Sequence, residues 1–370
     1  MNNNPRIIIS GGGTGGHIFP ALSIANSIKE LCPEAEILFV GAIGKMEMER
    51  VPAAGYKIIG LPVAGLQRSL SPKNLALPFK VMKSVRKAGD IIKEFKPDVA
   101  VGVGGFASAP LLWSASHKGI PCLIQEQNSF AGLTNKMLAK RARKICTAYE
   151  GMERFFPADK ILLTGNPIRK EIKPATEQQR AEGYRFYGLD PDKKTLFVVG
   201  GSLGCGTLNR VMRDWVENHA GKADYQVIWQ CGKYYKAGVD EFMAGRQVKN
   251  LFYTDFIKRM DLAYAVADLL VSRAGAGTIS ELCVAGKPTI FVPSPNVAED
   301  HQTHNAMALV GKNAALMVRD DQAGELLIGT VDELIGDDAR LAGLKENILK
   351  LGRKDASEVI AREVLKLVKQ

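Results

Sequence analysis

A histidine closes a run of glycines near the amino end: Gly11-Gly12-Gly13-Thr14-Gly15-Gly16-His17, with five glycines in the six residues before it. Glycine allows positive φ and lets a ligand come close to backbone N–H groups. A helix opening here adds unsatisfied donors and the positive end of its dipole. The chemistry on offer is anion binding, most naturally of a phosphate or diphosphate, with a titratable imidazole beside it. Gly11-x-Gly13-x-x-Gly16 also matches the dinucleotide fingerprint in letters, but that fingerprint asks for an acid at the end of the second strand to hold a ribose. The stretch Ile37-Leu38-Phe39-Val40-Gly41-Ala42 has no acid directly after it. A Walker A loop is excluded, because no Gly-Lys pair is followed by Ser or Thr. A plain turn would not need so many glycines, given the chain entropy they cost.

The second half carries its own candidates. Gly275-Ala276-Gly277-Thr278 precedes a helix and repeats the anion-site physics. Glu281 lies about one helical turn further on. A carboxylate is a poor neighbour for phosphate but suits two ribose hydroxyls; its other reading is an early-helix acid answering the dipole. Glu299-Asp300-His301-Gln302-Thr303-His304-Asn305 is dense in groups that hydrogen-bond a sugar. His301 and His304 stand at i, i+3, but no third metal ligand accompanies them, so no metal site is expected. Asp190-Pro191-Asp192 reads as a turn. Two more glycine loops follow strands, at Gly102-Val103-Gly104-Gly105-Phe106 and at Gly200–Gly206, and Glu126-Gln127-Asn128 ends another strand. Polar residues there either face a ligand or cap the loop.

The elements that must position these residues alternate between strand and helix, which predicts an α/β protein with parallel sheets. Strands are expected at 36–40, 57–61, 98–101, 122–125, 196–199, 269–272 and 289–292. The first helix is expected to open at His17 with Pro20 in its first turn, where proline is tolerated. Strand, glycine loop and helix, then a later glycine loop, helix, Gly-x-Pro and strand, recur in both halves. This order predicts two Rossmann-like domains facing each other across a cleft. They span 1–168 and 169–345, and a terminal helical segment, 346–370, could cross back to the first.

A length of 370 residues gives each domain room for its own core. Asn2 to Asn4 lead directly into a strand, so no signal peptide is expected. The longest uncharged run, Val99 to Ser116, holds glycines and a proline and reads as strand, loop and helix rather than a membrane span. Six scattered cysteines without zinc spacing read as reduced thiols. A net charge of +10 favours anionic partners or is a solvated basic surface. Within 71–95, Leu75, Leu77, Phe79, Val81 and Met82 sit among Lys73, Lys80, Lys83, Arg86 and Lys87. That pattern suits a helix lying on an anionic bilayer, joined by Trp113, and equally an amphipathic helix packed on the sheet.

Seven motifs occur in order: Gly12-Gly13-Thr14-Gly15-Gly16-His17, Gly102-x-Gly104-Gly105-Phe106, Glu126-Gln127-Asn128, Gly165-Asn166-Pro167-Ile168-Arg169, Gly200-Gly201-Ser202, Gly275-x-Gly277-Thr278-x-x-Glu281 and His301-Gln302-x-x-Asn305-Ala306. Over essentially its whole length the chain resembles the MurG family, the GT-B-fold N-acetylglucosaminyltransferases of peptidoglycan synthesis. The resemblance implies a hexosyltransferase that moves GlcNAc from UDP-GlcNAc to the MurNAc 4-hydroxyl of undecaprenyl-diphosphate-linked MurNAc-pentapeptide (lipid I). The product is lipid II, formed with inversion by a peripheral protein at the cytoplasmic face of the inner membrane. It further implies that Thr14, Gly15 and Gly16 border the donor and the acceptor diphosphate, that Gly104, Gly105, Phe106 and Glu126 form the acceptor loop region, and that Asn128 and Arg169 are donor-site residues. Ser202 lies by the UDP phosphates, Ile257 meets uracil through its backbone, Ala276, Gly277, Thr278, Ile279 and Ser280 hold the phosphate, Glu281 the ribose and Gln302 the GlcNAc hydroxyls.

His17 is the candidate base or a ligand of the acceptor diphosphate. No tightly bound cofactor or metal is implied, and no nucleic-acid partner; an anionic membrane surface and proteins of a cell-wall synthesis complex are the implied partners. Cys205 stands where Ala is common, and His301 where some members have a second Gln. The rival readings are a UDP-GlcNAc 2-epimerase, another GT-B glycolipid glycosyltransferase and an NAD-dependent oxidoreductase.

Overall fold

The computed structural model describes residues 4–63, 77–201 and 203–368. The basic stretch before residue 77 and Ser202 lie outside the described residues, as do the side chains of 77–79. The chain divides into two compact units, Met1–Arg169 with Arg353–Gln370, and Lys170–Gly352.

The first unit is built on β1 (Arg6–Ser10). Its three isoleucines alternate between two cores, as strand geometry requires. Ile7 and Ile9 pack on one face and Ile8 on the other, so the strand is buried on both sides. The unit continues with α1 (Gly15–Leu31), β2 (Glu36–Ala42), α2 (Glu47–Ala53), β3 (Lys57–Leu61) and α3 (Leu77–Phe95). Then come β4 (Val99–Gly102), α4 (Ser108–His117), β5 (Cys122–Glu126), α5 (Leu133–Leu138), β6 (Lys144–Thr147) and β7 (Ile161–Leu163). All described pairings in the sheet are parallel, in the order β3-β2-β1-β4-β5-β6-β7. The strand order therefore reverses direction between β1 and β4, the place where open α/β sheets bind ligands.

The second unit holds α6 (Glu177–Tyr187), β8 (Lys194–Val199), α7 (Gly206–Asp214), β9 (Tyr225–Gln230), α8 (Lys236–Met243), β10 (Leu251–Thr254) and α9 (Met260–Val266). It continues with β11 (Leu269–Ser272), α10 (Ala276–Ala285), β12 (Thr289–Phe291), α11 (His301–Val310), β13 (Leu316–Met317), α12 (Ala323–Ile335) and α13 (Asp338–Lys350). Its sheet, β10-β9-β8-β11-β12-β13, is parallel too and reverses between β8 and β11. Leu341 and Leu344 of α13 join the core of Leu196, Val198, Trp215 and Trp229, which keeps the chain in this unit as far as Gly352.

The last helix, α14 (Ala356–Val368), belongs to the first unit. Ile360, Ala361, Val364 and Leu367 form one apolar stripe against Ile24 and Ile28 of α1. Each aliphatic buried there is worth roughly 1.5–3 kcal/mol. Gly165, at φ +82°, lets the backbone pass Arg353; a Cβ on it would lie 2.4 Å from that of Arg353.

Local boundaries differ from expectation at α1. The helix starts at Gly15, with Thr14 as its N-cap, rather than at His17. Thr14 O takes the N–H groups of both His17 (3.1 Å) and Ile18 (3.2 Å). Pro20 is consequently inside the helix, past the first turn, where its missing N–H withdraws the helical partner of Gly16 O.

Candidate functional site

In the first unit Ser10 is paired with Gly102, so the two glycine loops leave the sheet side by side at the reversal point. Val103 N–H donates to Ser10 O (2.7 Å). The buried Ser108 hydroxyl lies 2.9 Å from both Ser10 O and Gly104 O, stitching the second loop to the first strand. Gly104 and Gly105 have φ of +98° and +87°, and both are pressed against the first loop. A Cβ on Gly105 would be 2.3 Å from Gly12 O, and one on Gly104 would be 2.8 Å from His17 Nε2. No side chain fits at either place, which is why both residues are glycine.

His17 stands over this junction with Nδ1 3.0 Å from Gly12 O. A carbonyl oxygen can only accept, so in the neutral ring Nδ1 carries the proton and Nε2 is the basic nitrogen. No acid lies in the first turn of α1, and Thr14, Gly15 and Gly16 bring that turn to the surface. Phe106 is exposed beside them.

The acid that sequence reasoning looked for after the second strand is present, five residues on. Glu47, completely buried, accepts the N–H groups of Ala42 (3.0 Å) and Gly13 (2.9 Å). It is turned into the glycine loop and is closed to a ribose. Two contacts could have signalled it: Gly12 and Gly41 have no room for a Cβ because Glu47 fills the space.

Glu126 caps its own loop. Its buried carboxylate accepts Asn128 N–H (3.0 Å), Gly132 N–H (3.1 Å) and the Asn135 amide (2.8 Å). Burial pushes its pKa up, and those hydrogen bonds oppose the shift. Asn128 sits half-buried at the loop's rim. Gln125 donates to Asn166 (2.9 Å), Asn166 donates to Gln127 O (3.0 Å), and Gln127 donates to Val103 O (2.7 Å). This buried chain ties the second glycine loop to the Gly165–Arg169 segment, at whose exposed end Arg169 lies. Gln127 stands in the Glu126-Gln127-Asn128 motif, whereas Gln125 and Asn135 carry no signal in the sequence; amides reveal their partners only in three dimensions.

The second unit repeats the plan. Val199 pairs with Ser272, bringing the Gly200–Gly206 loop beside the start of α10. Gln230, at the end of β9, accepts Gly200 N–H (3.1 Å) and donates to Gly201 O (3.0 Å) and Asp255 O (2.8 Å). Ile257, in the segment after β10, is buried. The α10 N-terminus, with Gly275 as N-cap, has no acid in its first turn. Ala276, Gly277 and Thr278 present that end, while Ile279 buries its side chain and gives its N–H to Gly275 O, and Ser280 bonds back to Ala276 O. Glu281 is aimed by the Tyr264 hydroxyl (3.2 Å). Arg273 donates to Val292 O and Pro293 O and pairs with Asp320 (2.5 Å), which also accepts the Thr207 hydroxyl of α7 (3.0 Å). Gln302 Oε1 takes Ser294 N–H (2.9 Å). Glu299 and Asp300, before α11, hold φ of +53° and +48°, a conformation non-glycine residues rarely adopt.

Each unit thus carries two glycine-rich loops at a sheet reversal, one pair beside an imidazole and the other beside the Glu281 carboxylate. Residues 7–147 match the glycosyltransferase family 28 N-terminal domain and residues 195–360 the family 28 C-terminal domain. The chain is 54% identical to the UDP-N-acetylglucosamine–N-acetylmuramyl-(pentapeptide) pyrophosphoryl-undecaprenol N-acetylglucosamine transferase of Parabacteroides distasonis, over 98% of both chains. It is 56% identical to the protein of the same name from Bacteroides fragilis, over 99% of this chain and 96% of the relative. The crystal structure of Acinetobacter baumannii MurG superposes with a TM-score of 0.79 at 27% identity, over 98% of this chain and 99% of that one. With both halves matched and the identity running end to end, the chain belongs to glycosyltransferase family 28 and, within it, to the N-acetylglucosamine transferases that act on pyrophosphoryl-undecaprenol-linked N-acetylmuramyl-pentapeptide.

Proposed function

We propose that this chain transfers GlcNAc from UDP-GlcNAc to the 4-hydroxyl of MurNAc on undecaprenyl-diphosphate-linked MurNAc-pentapeptide, giving a β-1,4 bond and UDP. The observation that carries the reading is the identity of 54% over 98% of the chain with a relative of that name. The site chemistry agrees with it. The attacking hydroxyl displaces UDP from the anomeric carbon in one step, inverting it. The first turn of α10 and the Gly200–Gly206 loop supply N–H donors to the leaving diphosphate, so no resident metal is invoked. Glu281, oriented by Tyr264, accepts the ribose hydroxyls, and Gln302 offers its NH2 to the sugar. The loop of Thr14, Gly15 and Gly16, with Gly104 and Gly105, receives the acceptor diphosphate. His17 Nε2 takes the proton of the attacking hydroxyl. Holding both reactants in place supplies roughly 7–11 kcal/mol of the barrier.

The acceptor is a lipid, and we propose that the first unit meets an anionic bilayer at the cytoplasmic face of the inner membrane, alongside other cell-wall synthesis proteins. Among the described residues no helix is long and apolar enough to cross a membrane. Ser84, Ala88, Ile91 and Ile92 of α3 are buried, whereas Val81 and Met82 are half exposed next to the exposed Lys80, Lys83 and Arg86. The buried face packs into the core of the first unit, and the exposed, basic face is the one we assign to the bilayer.

The deciding assay incubates the protein with UDP-GlcNAc and a short-chain lipid I analogue, with and without acceptor and with a chelator. Acceptor-dependent UDP release and a GlcNAc-MurNAc product are expected in all arms that contain acceptor. UDP and ManNAc formed without acceptor would replace this reading with the epimerase one.

A further inference from the structure

One peptide group joins two side chains of the first unit. The Gly12–Gly13 peptide gives its N–H to Glu47 Oε2 at 2.9 Å, and its carbonyl oxygen lies 3.0 Å from His17 Nδ1. Glu47 is completely buried and its other oxygen is held by Ala42 N–H at 3.0 Å, so the carboxylate has one orientation. A carboxylate on the N–H side of a peptide fixes which way that peptide faces and polarises its carbonyl into a stronger acceptor. The carbonyl in turn requires the proton of neutral His17 to be on Nδ1, leaving Nε2 as the basic nitrogen. The Gly105 backbone lies against this peptide, where a Cβ would be 2.3 Å from Gly12 O, so only glycine fits behind it.

We propose that Glu47 is a positioning residue that orients His17 through the Gly12–Gly13 peptide, the part a carboxylate plays directly beside the histidine of a catalytic triad. The proposal rests on the reading of His17 as the base. It accounts for the completely buried acid inside a loop built to bind anions: Glu47 engages the N–H of Gly13 from beneath, while the α1 N-terminus beyond it faces outward.

The test uses Glu47→Gln, which keeps the shape but sets an amide donor against one of the two N–H groups. With UDP-GlcNAc and a lipid I analogue, kcat is expected to fall at least tenfold with KM for UDP-GlcNAc within twofold of wild type. In the His17→Ala background the same change is expected to cost less than twofold further, because the two residues act as one unit. A substrate-free measurement accompanies it: in 15N-histidine spectra the His17 signal, assigned by its loss in His17→Ala, shows the Nδ1–H tautomer in wild type and a mixture in Glu47→Gln. An equal loss on both backgrounds, or an unchanged tautomer with unchanged kcat, overturns the proposal. If Glu47→Gln does not fold, Glu47→Asp, one methylene short with its charge kept, is read by the same cycle and spectra. Wild-type protein lacking acceptor-dependent product would remove the functional reading instead, while the spectra still decide the Glu47–His17 linkage.

Discussion

The side-chain amide nitrogen of Gln230 lies 2.8 Å from the carbonyl oxygen of Asp255, so the end of β9 holds the segment that leads to Ile257. The same amide accepts Gly200 N–H and donates to Gly201 O, so it grips the first two residues of the Gly200–Gly206 loop. One buried side chain thereby sets the spacing between the proposed phosphate loop and the proposed base segment. Gln230→Ala leaves one N–H and two carbonyls without their partner, each costing about 1–3 kcal/mol if it stays buried. UDP binding by calorimetry is expected to weaken at least tenfold, and Gln230→Glu to do the same by placing a carboxylate against two carbonyl oxygens. Wild-type affinity in both variants would refute the role.

Asp320 connects the two donor loops of the second unit, taking the Arg273 guanidinium before α10 and the Thr207 hydroxyl at the start of α7. Arg273 is mostly buried, and its remaining bonds go to the carbonyls of Val292 and Pro293. Asp320→Ala leaves that mostly buried cation without its counter-charge and the Thr207 hydroxyl without its acceptor, which is destabilising. A fall of several degrees in thermal midpoint is expected, together with weaker UDP binding. Replacing both partners, Asp320→Ala with Arg273→Met, is expected to recover part of the stability but none of the affinity. Equal stability of single and double variants would contradict this account.

These two links mark the limit of what the sequence reveals. The glycine loops and the strands before them were legible because the physics is local: a hydrophobic run fixes the strand, and glycines that must pass close to other backbone stand out as letters. The order of elements carried the parallel sheets with it, since short helical connections between strands leave little else. Glu47, Gln230 and Asp320 were invisible for the opposite reason. Each is an ordinary polar residue whose meaning comes from a partner 25 to 113 positions away or from a loop folded back on it, as with Gln230 and Asp255 or Thr207 and Asp320. The sequence pattern points to His17 as the start of α1, whereas the extended Thr14 is the cap that frees the first N–H groups. No acid follows β2 directly; Glu47 reaches the glycine loop from the start of the following helix.

Lys287 gives a pH-dependent prediction. It lies buried after α10 with its ammonium donating to Ala267 O (2.8 Å). Burial pulls its pKa down to about 8, only partly countered by Asp268. The unfolded chain holds this proton up to the ordinary lysine value, so between pH 8 and about 10.4 it binds more protons than the folded one. The contribution of Lys287 is therefore unfavourable below pH 8 and relieved as pH rises through that window, by a total of about 3 kcal/mol. Subtracting the denaturant stability of Lys287→Met from that of wild type at each pH is expected to give a difference that rises from pH 8 to 10.4 and is flat below pH 7. A flat difference throughout would mean that the amine is not desolvated as described.

The outward face of α3 makes the membrane reading testable without touching either donor loop. Val81 and Met82 are 50% and 49% exposed, and Trp113 on the neighbouring α4 is 44% exposed and stacked on His117. Helix α3 is held to α4 by the Ser114 hydroxyl on Val85 O (3.1 Å), so this apolar face is displayed on a fixed support. Each lysine or arginine near an anionic surface adds about 1 kcal/mol, and that attraction fades within a Debye length. Wild type is expected to sediment with vesicles containing anionic lipid, to release as salt rises, and to bind neutral vesicles poorly. Val81→Glu with Met82→Glu removes the apolar anchor and adds repulsion, so sedimentation is expected to fall at least tenfold at low salt. Turnover with a soluble short-chain acceptor is expected to stay within twofold of wild type, because the substitutions sit on a surface the soluble reaction does not use. If the double variant still sediments with anionic vesicles, the basic charge alone carries the attraction and the apolar face of α3 has no part in it.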